Sequence, residues 1–407
     1  MMKNKFTKIL LINISVFSLL LVLIEIISSI FLRITKDPTL PSDLIPELAL
    51  KQWNQEFDPS VGMVHSLNDF REDPNTSNLK YNKIYALKEF HLKNKKFKKI
   101  LILGGSTTSP ASYQYSGLTG TWVDHLFSRK IFGKNKLRVF NAGSGGANSS
   151  QELLRMVPLV YSDEFDLIIS FNGINEIYFA NEKELKDPYN LFAPRRIING
   201  LRIGLIKHES KTYFSFANGL KPFLFELDYI YSKLNFAKSL IRIRNIKRHE
   251  KFLSIEEVDN QFNSDLSIQE KDDLKYAAEI WSKNVSAMRS IASNNKSKYI
   301  VFLQPTFSLN MNKSELREEK LKQIKNIKVS GFSNVAARTN YKYQMRINYL
   351  YSLLREYCDQ FRFCYDLSNN LDLTTDPSIY TDPRHMNSKG NFITSSQMEK
   401  TVYEAIK

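Results

Sequence analysis

From residue 98 onward, short apolar runs alternate with segments of helical spacing, and this alternation limits the fold more than anything else in the chain. The runs are KKILILGG (98–105), LRVFNAGSGG (137–146), FDLIISFNG (165–173), KYIVFLQP (298–305) and FRFCYDLSN (361–369). Each is too short for a helix and reads as a buried strand. Between and after them lie TWVDHLF, SSQELLRMVPLVYS, KYAAEIWSKNVSAMRSIASNN, YQMRINYLYSLLREYC and a closing NFITSSQMEKTVYEAIK, all with helical periodicity. Strands alternating with helices predict an α/β domain with a parallel sheet and helices on both faces. With 407 residues and 43% hydrophobic content, the chain can bury a sizeable core.

In parallel sheets of this kind, ligands bind beyond the carboxyl ends of the strands. Three of these strand ends carry polar residues: GGSTT at 104–108, NAGSGGANSS at 141–150 and NGINE at 172–176. A fourth polar loop, TDPRHMNSKG at 381–390, precedes the last helix. A serine nucleophile needs a general base, an acid that orients the base, and donors for the oxyanion of a tetrahedral intermediate. Ser106 ends the first strand after two glycines, and Asp382 and His385 stand three residues apart in one loop. The backbone of the Gly145/Gly146 turn, the Asn175 amide and the Ser106 N–H supply candidate donors. The nucleotide-binding alternatives fail on composition. GSGGAN has Asn148 where a dinucleotide loop needs its third glycine, and GGSTT lacks the lysine of a P-loop.

The rest of the chain adds location and charge. Residues 9–32 form an apolar stretch interrupted mainly by Asn13 and Glu25, long enough to cross the ~30 Å core of a bilayer as a helix. Lys3, Lys5 and Lys8 precede it, so the positive-inside rule predicts a cytoplasmic N-terminus and an outward-facing body. The stretch exceeds a signal-peptide core and no A-x-A-like site follows, which favours an uncleaved anchor over a cleaved leader. The expected organisation is an anchor at 1–35, a tether and irregular segment at 36–97, and a main domain at 98–407 with an insertion at about 180–273. That insertion is basic and aromatic. Arg242, Arg244, Lys247 and Arg248 cluster in it and are candidate docking residues for anionic headgroups or an acidic polysaccharide. The formal charge of +15 calls for an anionic partner, but an outward-facing body makes nucleic acid an unexpected one. The two cysteines, Cys358 and Cys364, lack metal-ligand spacing and are either a disulfide or two buried thiols. No HExxH or similar pattern is present, so no metal or cofactor is expected. His125 follows Asp124 directly, but adjacent helical residues point in different directions.

Taken in order, GGSTT, the glycine loop ending at Gly146, Gly173-x-Asn175 and Asp382-x-x-His385 resemble the four blocks of the SGNH (GDSL-like) hydrolase family, over roughly residues 98–407. The resemblance implies a flavodoxin-like three-layer fold, with Ser106 as nucleophile, His385 as base and Asp382 as its orienter. Ser106, Gly146 and Asn175 are implied as oxyanion donors. Two positions depart from the family pattern: Gly105 stands where it has an aspartate, and Glu176 where an aspartate follows the block-three asparagine. The implied activity is serine acyl-ester hydrolysis, expected on O-acyl groups of an envelope glycan or on a lipid. An O-acyltransferase drawing on a membrane-bound acyl donor, and a non-catalytic glycan-binding or assembly subunit, are the alternatives.

Overall fold

In a computed structural model the described residues are 2–34, 55–58, 62–65, 79–81, 84–94, 96–110, 120–181, 265–319, 321, 341–381 and 383–407. A helix, α1 (Met2–Ile34), is followed by a separate antiparallel pair, β1 (Gln55–Asp58) and β2 (Gly62–His65). The main sheet has seven strands: β3 (Leu79–Tyr81), β4 (Ala86–Phe90), β5 (Phe97–Gly104), β6 (Lys136–Asn141), β7 (Leu167–Asn172), β8 (Lys298–Leu303) and β9 (Cys364–Asp366). Their order is β3-β4-β6-β5-β7-β8-β9. β5 to β9, the five strands read from the sequence, pair in parallel throughout. Numbered among themselves, they run 2-1-3-4-5, the flavodoxin-type order, in which the chain reverses direction beside its first strand.

One boundary falls earlier than the sequence suggests. β3 and β4 lie within the segment expected to be a tether, yet they extend the same sheet. β4 pairs antiparallel with β6, from Ala86 opposite Asn141 to Phe90 opposite Leu137. Their runs are short and mixed in polarity, so local pattern does not announce them.

The core divides by the two-residue period of the strands. Leu101 and Leu103 of β5 face one side with Ile168 and Val301, under α3 (Ser149–Ser162), α4 (Ile268–Asn294) and α5 (Tyr341–Gln360). Ile100 and Ile102 face the other side with Ile169 and Phe302. There they pack under α2 (Trp122–Phe127) and α7 (Ser388–Ile406), α6 (Leu371–Thr374) being a single turn between β9 and α7. The three layers follow, with both faces of the central strands buried. α3 starts at Asn148, whose side chain accepts from Gln151 N while the Gln151 side chain accepts from Asn148 N, a reciprocal cap. Cys358 at the end of α5 is bonded to Cys364 at the start of β9, across a Cα separation of 5.2 Å. The alternative of two free thiols is thereby set aside.

In α1, Val16, Phe17, Leu20, Ile27 and Ile30 are each more than half exposed. Among the described residues no helix is long and apolar enough to cross a membrane. The described side chains of α1 run continuously only over residues 15–30, about 24 Å of helix at 1.5 Å per residue. The cluster Arg242, Arg244, Lys247 and Arg248 lies outside the described residues, as does most of the insertion. Its described end enters α4 at Ile268, ahead of the boundary read from sequence.

Candidate active site

β5 enters the site with its last five residues, Ile100–Gly104, buried, and stops at Gly104. The chain then turns at once: Thr108 N and Ser109 N both donate to Gly105 O, at 3.1 and 3.0 Å. This tight turn presents Ser106 at the carboxyl end of the first parallel strand. Its Oγ lies 2.7 Å from His385 Nε2, so two residues 279 positions apart in sequence form the hydrogen-bonded pair expected of nucleophile and base. With the ring proton on Nδ1, the hydroxyl donates to Nε2.

The histidine loop is held from three sides. Thr381 donates to His385 O through both its N–H (2.8 Å) and its Oγ1 (3.0 Å), and Tyr380 and Met386 form an antiparallel bridge beside it. Asn387 caps α7 by accepting from Gly390 N. Beyond β8, Phe307 N and Thr306 Oγ1 donate to Pro383 O, at 3.0 and 2.6 Å. Asp382, the expected orienter, lies outside the described residues.

Asn175 occupies the gap between two turns. Its Nδ2 donates to Ala147 O at 2.8 Å, and the residue is 6% exposed. A Cβ built on Gly105 would stand 2.4 Å from that same Nδ2 and 3.3 Å from Ala147 O. A side chain at 105 would therefore have to displace the Asn175 amide, which is the space that Gly105 leaves open. Ala147 in turn follows Gly146, which has a φ of +73° and closes the turn in which Ala147 N donates to Ser144 O. Non-glycine residues pay a steric penalty at that φ. The structure therefore gathers Gly105, Asn175 and Ala147 in mutual contact, directly beside Ser106 and Gly146. A primary amide has two N–H donors, so Asn175 can hold Ala147 with one and keep the other for a developing oxyanion.

The second departure, Glu176, is fully buried and holds the start of α3. Its Oε1 accepts from Ser149 N (2.8 Å) and its Oε2 from Ser149 Oγ (2.9 Å). Asn284 Nδ2 donates to that hydroxyl at 3.0 Å. Glu152 lies beneath, accepting from Asn172 Nδ2 at 2.9 Å, while Asn172 accepts from Trp281 Nε1 at 2.8 Å. Burial pushes Glu176 up to about 8 and Glu152 up to about 7, against the hydrogen bonds from Ser149 and Asn172 that favour their charged forms. Both groups bind protons more tightly folded than unfolded. Their contribution to stability is complete below their ordinary value of 4.5 and is lost as pH rises through about 7 and 8. Denaturant unfolding should show stability falling across that window, by up to about 1.4 kcal/mol per pH unit for one proton. Glu176→Gln should flatten the slope, and an unchanged slope would show that Glu176 is ionised throughout.

Sequence reasoning passed over Gln304, the residue that ends β8. It is buried, its Oε1 accepts from Thr107 Oγ1 at 3.0 Å, and its Nε2 reaches Arg384 O at 3.5 Å. One side chain thus touches the neighbour of Ser106 and the neighbour of His385. Its backbone is fixed as well, by Gln304 N to Asn172 O (2.8 Å) and by Tyr351 Oη to Gln304 O (2.7 Å). The available signal was a polar residue closing the apolar run KYIVFLQ, as Asn172 closes the run before it. His125 takes no part: its ring meets Phe392 edge-on at 6.0 Å, while Asp124 binds Lys88 at 2.6 Å. Among the described residues no group of three or more His, Cys, Asp or Glu is placed to hold a metal ion.

No protein-family model matches the chain, and no curated protein does. Solved structures similar to parts of it include an acetyl xylan esterase, AlAXEase, 13% identical, covering 75% of this chain and 99% of its own, at a TM-score of 0.36. A lipase from a goat rumen metagenome is 13% identical, over 76% of this chain and all (100%) of its own, at a TM-score of 0.34. An acetylxylan esterase from Geobacillus stearothermophilus is 11% identical, over 76% of this chain and 94% of its own, at a TM-score of 0.32. At such scores the shared arrangement is too slight to speak for the chemistry of this site, which stands on its own geometry.

Proposed function

We propose that the chain is a serine acyl-ester hydrolase of SGNH type, and the observation that carries this is the 2.7 Å contact of Ser106 Oγ with His385 Nε2 at the carboxyl end of β5. Ser106 Oγ attacks the ester carbonyl as its proton passes to His385 Nε2. Ser106 N–H, Gly146 N–H and the free N–H of Asn175 receive the oxyanion. The imidazolium then returns the proton to the leaving alkoxide, giving an alcohol and an acyl-enzyme. Water, deprotonated by the same imidazole, attacks the acyl-enzyme and releases a carboxylic acid. Asp382 is assigned to orient the imidazole from its place three residues before His385. The O-acyl groups of an envelope glycan are the proposed substrate. Support for an outward location comes from the apolar stretch 9–32 with its preceding lysines, proposed as an uncleaved anchor. The Cys358–Cys364 disulfide, of a kind that persists in oxidising compartments, supports it too.

A fluorophosphonate probe tests the assignment. Labelling of the folded protein at Ser106, lost in His385→Ala, is the expected result. Folded protein that stays unlabelled would leave a binding or assembly subunit instead. Product analysis with an acetylated glycan then separates free acetate, expected here, from acetyl transfer to a second sugar.

The role of Gln304 has its own check. Gln304→Ala releases both turns at once, and displacement of about 1 Å at a catalytic pair costs on the order of 10²-fold in turnover. The loss should fall on kcat with KM little changed, and Thr107→Val combined with it should add less than its separate effect. Full additivity would mean that the two side chains act independently.

A further inference from the structure

The end of the sheet opposite Ser106 carries a surface that the chemistry above leaves unused. Residues 91–94, 96 and 97 lie beside residues 130–136 there: Lys136 N donates to Lys96 O, Phe97 stands opposite Lys136, and Asn94 Nδ2 donates to Gly133 O. Lys93, Lys96, Lys130 and Lys134 are exposed and Lys136 is half-buried. None of the five forms an ion pair with a described residue. By contrast, neighbouring Lys98, Lys99 and Arg138 are bound to Asp166, Asp163 and Glu89. Between these lysines stand exposed apolar side chains, Leu92 (46%), Ile131 (37%) and Phe97 (37%), the last under the Arg138 guanidinium at 4.4 Å. Lysines interleaved with exposed aliphatic and aromatic groups are the composition of a surface that rests on anionic headgroups with its apolar tips in the acyl boundary.

We infer that this amino-end surface, formed by Leu92, Lys93, Lys96 and Phe97 with Lys130–Lys136, is a docking face for an anionic phospholipid bilayer. β5 is eight residues long, which places its two ends about 23 Å apart at ~3.3 Å per residue. Docked this way, the chain points Ser106 away from the bilayer. If Ser106 is the nucleophile, as proposed above, its substrate is then a polymer reaching down to the protein and not a lipid in the plane of the membrane. The docking face itself does not depend on that chemistry.

Amine-reactive footprinting read by mass spectrometry tests the face in the full-length protein. The chain is reconstituted with phosphatidylcholine bilayers, and with bilayers of phosphatidylcholine and phosphatidylglycerol in equal parts. The expected result is slower labelling of Lys93, Lys96, Lys130, Lys134 and Lys136 in the anionic bilayers. Lys389, at the first turn of α7 on the Ser106 side, should be unaffected. Protection should fade as salt rises from about 0.1 M to about 1 M and the screening length shrinks from ~10 Å to ~3 Å. Lys134→Gln with Lys136→Gln should restore labelling of Lys93 and Lys96, contact occupancy falling about five-fold for each lysine neutralised. Equal labelling in the two bilayers would overturn the inference, as would protection of Lys389 in their place. Protection of the same five lysines by alginate, with none from the anionic bilayer, would overturn it in favour of an acidic polysaccharide. Fluorophosphonate labelling of Ser106 is read separately, so either proposal can fail without the other.

Discussion

Ser106→Ala and His385→Ala should each lower turnover of a small ester by about 10⁴–10⁶-fold, because the hydroxyl and the imidazole act as one unit and removing either removes the covalent route. The double variant should be scarcely slower than either single one. Ser106 is half-buried on a turn held by backbone bonds from Thr108 and Ser109 to Gly105, and none of these passes through its hydroxyl. Thermal unfolding of Ser106→Ala should therefore match the parent. Steady-state rates and a melting curve on the same samples check both statements. Residual turnover within ten-fold of the parent in a folded Ser106→Ala would remove the serine from the mechanism.

Gly105→Ala should cost about as much as Asn175→Ala, on the order of 10²–10³ in kcat, the usual effect of losing one oxyanion donor. The physical link is the space at 105. A methyl group there would sit 2.4 Å from Asn175 Nδ2, far inside van der Waals contact, so the amide must swing away from Ala147 O and from the position of the oxyanion. If Gly105→Ala acts only through Asn175, the pair of substitutions together should lose little more than Asn175→Ala alone. Measured kcat and KM for the two single variants and the double decide it. A fully additive double variant would show that Gly105 acts through something other than the amide.

Both predictions rest on residues that differ in how far local sequence announces them. Ser106, Gly146, Asn175 and His385 lie in polar loops at the ends of apolar strands, and the fold brings strand ends together whatever the details of packing. Their grouping was legible because a parallel α/β sheet places every carboxyl end on one side. The same reasoning explains why β5 to β9 and the helices between them were readable. Two-residue and 3.6-residue periods are local properties of the chain, and the central strands β7 and β8 are buried on both faces from Leu167 and Tyr299 on.

What tertiary structure alone decided is which residues meet in space, most of them distant in sequence. β3 and β4 join the sheet because β6 has an open edge, a fact about strand order that neither short run encodes. Cys358 and Cys364 were equally readable as thiols or as a disulfide until the end of α5 and the start of β9 brought their Cα atoms to 5.2 Å. Gly105 looked like the loss of an acidic residue until Asn175 was seen to occupy its side-chain space, and Glu176 like a conservative change until both its oxygens were found on Ser149. Gln304 gained a place only when it was seen between Thr107 and Arg384, and Lys96 and Lys136 came together only through the pairing of β5 with β6. Local sequence determined β5 to β9, the helices between them and the polar loops at the strand ends, since those depend on near neighbours. Which side chains meet across 30 to 280 residues, in order of magnitude, was decided only by the register and order of the strands, because contact energies act through space and not along the chain.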